Sequence, residues 1–226
     1  MRFVILNYSN LEYVKSICDN LFKIANKRPT VINYNDDEIP NCDLIILPDE
    51  FLGLEKIIKK VSMSSAIKQV KNHIARGGAV LGINSGAEVL ISAKLINAEI
   101  RRFNTKSTIT KKVNLKIQNK TISPFLSMYR ESEVIELNSK SFEDQFILKT
   151  EPYKKFKNQE LVAFNYNINN QQKIKNSTIT DDNKIAAIMT ENGKVLCSIP
   201  DPTILEKDEI KNDSKIFFEN IIQTLS

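Results

Sequence analysis

Apolar residues recur along this chain in two rhythms. Phe3 to Asn7 is a short apolar run ending in a polar residue, the pattern of a buried strand. Asn10 can cap a helix, and Leu11, Val14, Cys18, Leu21 and Ile24 then return at helical spacing, predicting an amphipathic helix over 11–26. Residues 30–34 and 43–47 are further strand-like runs, the second stopped by Pro48. A helical pattern lies within 55–75, with Ile67, Val70 and Ile74 on one face, and Gly77-Gly78 ends it. Residues 79–83 are a fourth apolar strand, followed by a tight turn and a helix through Leu95. Strands alternating with helices in this way predict parallel βαβ units, with helices on both faces of one sheet.

The second half has a different texture. Segments near 108–117, 132–137, 161–166, 184–189 and 194–199 are β-like, and Asn192-Gly193 between the last two is a hairpin signal. Ser214 can cap a final helix that turns Ile216, Phe217, Ile221 and Leu225 inward. The polar stretch 167–182 predicts a surface loop. With no internal repeat and no Gly/Ser/Pro linker, the chain is read as one α/β domain spanning 1–226, a mostly parallel sheet carrying a β-rich C-terminal half.

Composition narrows the function classes only a little. Hydrophobic residues are 42% and charged residues 26% of 226, which argues for a packed core rather than disorder. The net charge of +5 is mild and the lysines are interspersed with acids, so nucleic-acid binding is not expected; Lys154-Lys155 is read as a solvated loop. No run approaches the length of a membrane span, and the N-terminus lacks a signal-peptide layout. Cys18, Cys42 and Cys197 are an odd count without metal spacing and predict buried reduced thiols, hence a cytoplasmic protein. The acidic groups Asp36-Asp37-Glu38, Asp181-Asp182 and Glu206 to Glu209 have no ligand spacing, so no metal is expected. Tyr129-Arg130 and Arg101-Arg102 are read as surface. The single histidine, His73, is read as a surface helical residue.

The segment richest in chemistry is the turn after the fourth strand, Gly82-Ile83-Asn84-Ser85-Gly86. A strand, a Gly-x-x-x-Gly bend and a helix make the layout of a nucleophile elbow. Such a bend projects its central side chain into a cleft, and the next N–H, at the helix N-terminus, can stabilise an oxyanion. The central residue is Asn84, which tolerates a left-handed backbone but carries no thiol or hydroxyl. Ser85 sits one position late, and its side chain is expected to point away from the nucleophile's place.

Several segments together resemble one family. Gly78 to Gly86 and on to Ala93-Lys94-Leu95-Ile96 looks like the elbow of class I glutamine amidotransferases. Residues 113–120, Ser123-Pro124-Phe125 and Glu133-Val134-Ile135 are similar to the middle of the PurQ branch, the glutaminase subunit of phosphoribosylformylglycinamidine synthase. Ile185 to Ile188, Asn192 to Leu196 and Ile199-Pro200-Asp201-Pro202 follow that branch's closing segment. The resemblance implies a flavodoxin-like amidotransferase fold, and a cysteine that attacks glutamine with a histidine and glutamate managing the protons. The ammonia passes to a synthetase large subunit that works with a small accessory subunit. No cofactor is implied.

The chain departs from that pattern at every catalytic point. The family's cysteine position is Asn84, its histidine Asp201 and its glutamate Thr203. The Pro-Gly-Gly-Phe turn that helps build the oxyanion hole reads Pro48-Asp49-Glu50-Phe51, so Glu50 and Ser85 stand at the oxyanion-hole positions. The His-Gly-Glu-Gly segment falls near Ser141-Phe142-Glu143-Asp144, with only the glutamate kept. The expectation is a glutaminase-inactive chain that acts as a structural or assembly subunit. Two alternatives stay open: a sensor that binds a small molecule, an amine for preference, in the former glutamine pocket, and a residual amide hydrolase.

Overall fold

A computed structural model describes residues 1–8, 11–49, 54–102, 110–118, 123–140, 144–148, 161–167, 184–205 and 212–225. The elements run β1 (Phe3–Asn7), α1 (Leu11–Ala25), β2 (Thr30–Asn33), β3 (Leu44–Leu47), α2 (Leu54–Ser62), α3 (Ser65–Ala75), β4 (Ala79–Ile83) and α4 (Ser85–Ser92). There follow β5 (Ala98–Arg101), β6 (Lys111–Ile117), β7 (Val134–Ser139), β8 (Gln145–Leu148), β9 (Val162–Tyr166), β10 (Ile185–Met189), β11 (Val195–Ser198) and α5 (Asp213–Leu225).

All these strands join one sheet in the order β2-β1-β3-β4-β11-β10-β9-β6-β7, with β8 pairing both β10 and β5. The first five in this order are parallel, and from β11 to β10 onward the pairing turns antiparallel. β3 and β4 are apolar at every position because helices cover both faces. On one face α1 and α5 bring Val14, Ile17, Leu21, Phe217 and Phe218 against Ile5, Leu81 and Leu196. On the other, α2, α3 and α4 bring Val61, Ile67, Val70, Val89 and Leu90 against Val4, Ile45, Val80 and Cys197. The three cysteines are buried and unpaired. Among the described residues no helix is long and apolar enough to cross a membrane.

Several boundaries differ from the sequence reading for local reasons. The pattern over 55–75 is two helices, because Ser64 interrupts it as an N-cap whose side chain accepts from the Ile67 N–H. Leu11 faces solvent at 70% exposure rather than the core. The helix after the elbow stops at Ser92, not Leu95. The final helix is capped by Asn212, whose Oδ1 accepts from the Lys215 N–H at 3.1 Å, while Ser214 is buried inside the helix. Phe218, absent from the inward stripe, is fully buried with its ring edge-on to Phe217. The short strands β5 and β8 add an antiparallel pair that the apolar pattern did not reveal. The Asn192-Gly193 hairpin is present between β10 and β11, with Gly193 at φ +64°. The stretches 167–182 and 206–209 and Lys154-Lys155 lie wholly or mostly outside the described residues.

His73 is a correction of substance. It is buried, and its Nε2 lies 3.1 Å from the Ala79 carbonyl. A carbonyl can only accept, so Nε2 carries the proton of the neutral ring. Burial lowers its pKa from 6.5, and Arg76 adds to this against the pull of the Ala79 carbonyl. A histidine with a depressed folded pKa is protonated more readily when unfolded. Its effect is nil above about pH 6.5 and destabilising as pH falls through the folded pKa. His73→Gln should therefore lose less thermal stability than the parent between neutral pH and pH 5. Parallel melting curves across that interval would contradict this account.

Candidate functional site

β4 and β11 pair in parallel with Cys197 opposite Gly82 and Ser198 opposite Ile83, so the turns that follow both strands share one edge of the sheet. The Asn84 N–H donates to the Ser198 carbonyl at 2.7 Å and fixes them together. Asn84 has φ +47° and ψ −101°, a backbone conformation that L-residues rarely adopt. Holding a non-glycine residue there costs on the order of 1–3 kcal/mol, and the surrounding packing must supply it. The elbow expected from the sequence is present, with Asn84 at its apex.

Asp49, two residues beyond β3, reaches this apex. Its Oδ1 accepts from the Ser85 N–H at 3.3 Å and from the Ser85 hydroxyl at 3.0 Å. The carboxylate also faces the Asn84 side-chain amide. Burial raises the Asp49 pKa; the Ser85 hydroxyl opposes this, and the nearby Asp201 charge adds to it. The N–H that could stabilise an oxyanion thus already holds a carboxylate of the chain itself.

Asp201 is bound on all sides. Its N–H donates to the Asn138 carbonyl at 2.7 Å, and its Oδ1 accepts from the Thr203 N–H at 2.8 Å and the Thr203 hydroxyl at 2.6 Å. Its Oδ2 accepts from the Tyr13 hydroxyl. The Tyr13 pKa stands well above its ordinary value, first through burial and then through Asp201 and Asp49. The Lys140 ammonium lies 4.8 Å from the centre of the Tyr13 ring. Burial lowers the Lys140 pKa, against the attraction of Asp49 and Asp201.

Arg102 closes the other side of Asn84. Its Nη1 donates to Asn84 Oδ1 at 2.5 Å and to Asp144 Oδ2 at 2.7 Å. Its Nε and Nη2 lie 3.0 and 2.8 Å from Glu88 Oε1. Burial disfavours the guanidinium charge, yet Glu88 and Asp144 outweigh it and hold the Arg102 pKa above normal. Burial raises the Glu88 pKa, with Arg102 as the chief opposing influence.

The residues singled out from sequence therefore converge: Asn84, Ser85, Asp201 and Thr203 are all buried at this edge. Glu50 lies outside the described residues. Arg102, read as surface, belongs to the site, and so do Tyr13, Glu88, Lys140 and Asp144. Glu88 was findable, because position i+4 of a helix that starts at Asn84 lies on the same side one turn later. His73 bonds the first residue of β4 while Asn84 follows the last, so the imidazole stands at the far end of that strand. Cys197, opposite Gly82 in the β4–β11 pairing, is the cysteine on the strand next to the elbow; it is buried, and burial pushes its thiol pKa well up. None of the described residues form a three-ligand metal group. A cavity of 680 Å³ adjoins the site, lined by Tyr13, Asn20, Thr203 and Leu205 among others, and Asn84 is not in its wall.

Comparison with known proteins adds the family context. The CobB/CobQ-like glutamine amidotransferase domain matches residues 49–216. A phosphoribosylformylglycinamidine synthase subunit PurQ from Mesorhizobium japonicum is 24% identical over 228 residues, covering 98% of each chain. Among solved structures, a chain of PurLQS from Thermotoga maritima superposes with TM-score 0.76 at 20% identity, covering 100% of this chain and 99% of that one. A glutamine amidotransferase from Thermotoga maritima gives TM-score 0.57 at 11% identity, over 100% of this chain and 97% of that one. The fold is that of the flavodoxin-like class I glutamine amidotransferases, with its mixed sheet covered on both faces.

Proposed function

Since this chain belongs to the CobB/CobQ-like glutamine amidotransferase family and aligns end to end with PurQ subunits, we propose that it is a glutaminase-inactive member of the PurQ branch. Its role on this reading is structural: it helps assemble the large and small subunits of a phosphoribosylformylglycinamidine synthase in the cytoplasm. One observation carries the reading: Asp49 occupies the Ser85 N–H at an elbow whose apex is Asn84. Glutamine hydrolysis builds negative charge on an oxygen at that N–H. A resident carboxylate both uses the donor and repels the charge. Losing a single oxyanion donor typically costs a factor of about 10²–10³ in rate, and here the attacking atom is missing as well. Asp201 makes a poor replacement base, because Tyr13 and Thr203 already donate three hydrogen bonds to it.

The amine-sensor alternative is weakened by Lys140, an ammonium that the chain itself sets beside Asp49 and Asp201. The test of the main reading is co-expression with both the large and the small accessory subunits of the synthetase. The expected result is co-elution on sizing, with no glutamine-dependent ammonia release above a blank. Separate elution would remove the assembly role. Sustained ammonia release that scales with glutamine would remove the inactivity.

A further inference from the structure

The geometry points to a self-modification at the elbow: closure of the Asn84 side chain onto the Ser85 backbone nitrogen, with release of one ammonia. This holds or fails independently of the assembly role, since it needs neither glutamine nor a partner.

Three features of the elbow converge on it. The first is the backbone. A five-membered imide forms only when the following nitrogen comes close to the side-chain carbonyl carbon, which requires Cβ and that nitrogen to be nearly eclipsed. The tetrahedral Cα sets Cβ roughly 120° from the backbone nitrogen about the Cα–C bond, so at ψ −101° the Ser85 nitrogen lies within roughly 20° of eclipsing Cβ. Ordinary helical and extended residues are far from this arrangement. The strain stored at the elbow therefore runs along the reaction coordinate.

The second is a base in place. Asp49 Oδ1 accepts the Ser85 N–H, the proton that must leave, and the same carboxylate faces the Asn84 amide. Its raised proton affinity suits the task. The third is charge stabilisation. Arg102 Nη1 lies 2.5 Å from Asn84 Oδ1, the oxygen that becomes negative when the nitrogen adds. The Asn84 side chain, inert as a nucleophile, is set up here as an electrophile. Burial, which would bar an external substrate, does not hinder a reaction between adjacent residues.

The step balances without an external reagent. The Ser85 nitrogen forms a bond to Asn84 Cγ as its proton passes to Asp49. The tetrahedral oxyanion rests on Arg102. The Cγ–Nδ2 bond then breaks, the proton on Asp49 goes to the departing nitrogen, and neutral ammonia leaves an Asn84–Ser85 imide. Solvent water opens the imide at either carbonyl, giving an aspartyl or isoaspartyl residue at position 84. No oxidation state changes.

The experiment uses the full chain, freshly purified and then incubated near neutral pH, followed by intact mass and by tandem mass spectrometry of the peptide carrying residue 84. Isoaspartate is read separately by enzymatic methylation. The expected result is loss of one ammonia at Asn84, followed by the hydrated product with an isoaspartyl share. The folded chain should react about tenfold or more faster than the same chain held unfolded in urea. D49N and R102Q should each slow the reaction at least about tenfold, with folding of each variant verified by circular dichroism. The inference is overturned if Asn84 stays intact, if folded and unfolded chains react at the same rate, or if the product is aspartate alone with solvent oxygen and no isoaspartate, which would mean direct attack by water.

Discussion

Arg102→Met should lower the stability of the folded chain by about 3 kcal/mol at neutral pH, because two inward-facing carboxylates, Glu88 and Asp144, each then lose the ion pair made with it. The Asp144 side chain is 6% exposed and that of Glu88 23%, and Arg102 is the cation paired with both. Removing one partner of a buried pair costs about 3–5 kcal/mol, and the 29% exposure of the Arg102 side chain places the loss at the lower end. Urea unfolding should show a lower midpoint with an unchanged slope. The loss should also depend on pH. Burial raises the Glu88 pKa from 4.5 even with Arg102 opposing it, so without the guanidinium it rises further. A carboxyl whose folded pKa is raised imposes no penalty below its ordinary pKa and a growing one as pH climbs through the folded value. The gap between variant and parent should therefore narrow on acidification, and adding Glu88→Gln should recover part of it at neutral pH. A variant as stable as its parent at neutral pH would mean that this cluster is solvated and that Arg102 does not hold the elbow shut.

How much of this was legible beforehand depends on whether the information was local. The βαβ half was readable because strands covered on both faces leave unbroken apolar runs, and those of β1, β3 and β4 are apolar almost throughout. The elbow was readable because strand, bend and helix are contiguous, whereas Asp201 and Thr203 were placed by the family resemblance alone, and the hydrogen bonds between them are a finding of the structure. What sequence could not supply was pairing at a distance. β5 and β8 are four residues each, carry Glu99, Arg101 and Gln145 among their apolar positions, and find each other across some fifty residues, with Ala98 opposite Leu148. Arg101 and Arg102 are adjacent and chemically identical; the alternation of side chains along β5 sends Arg101 to solvent and Arg102 to the less exposed side, onto Asn84. Tyr13 and Lys140 meet Asp201 from α1 and from the residue after β7, neighbours only in the folded chain. His73 was misread because a polar side chain on a helix is by default at the surface, and its partner carbonyl belongs to the next strand.

Gly86→Ala should destabilise the chain by about 3 kcal/mol, at the upper end of what overpacking usually costs. A Cβ built on Gly86 would lie 2.1 Å from the Leu47 carbonyl oxygen and 2.7 Å from its carbon. Both are backbone atoms at the end of β3, so neither can rotate away; either α4 lifts or the strand end shifts. Gly82 offers a contrast. Its nearest clash, at 2.6 Å, is with the tip of the Leu90 side chain, which can change rotamer, although two α4 backbone atoms stand at 3.0 Å. Gly82→Ala should therefore cost less than Gly86→Ala when both are measured by urea unfolding. The two glycines thus serve contact of the chain with itself, α4 seated on β3 and folded back on β4, more than the approach of any substrate. Lifting α4 at Gly86 would also draw the Ser85 N–H from Asp49, which follows Leu47 by only two residues. The same substitution should then slow ring closure at Asn84, because the base and the bend are held by one contact. If Gly86→Ala proved as stable as Gly82→Ala, α4 would not be pressed on the end of β3, and the backbone angles on which that chemistry relies would lose their support.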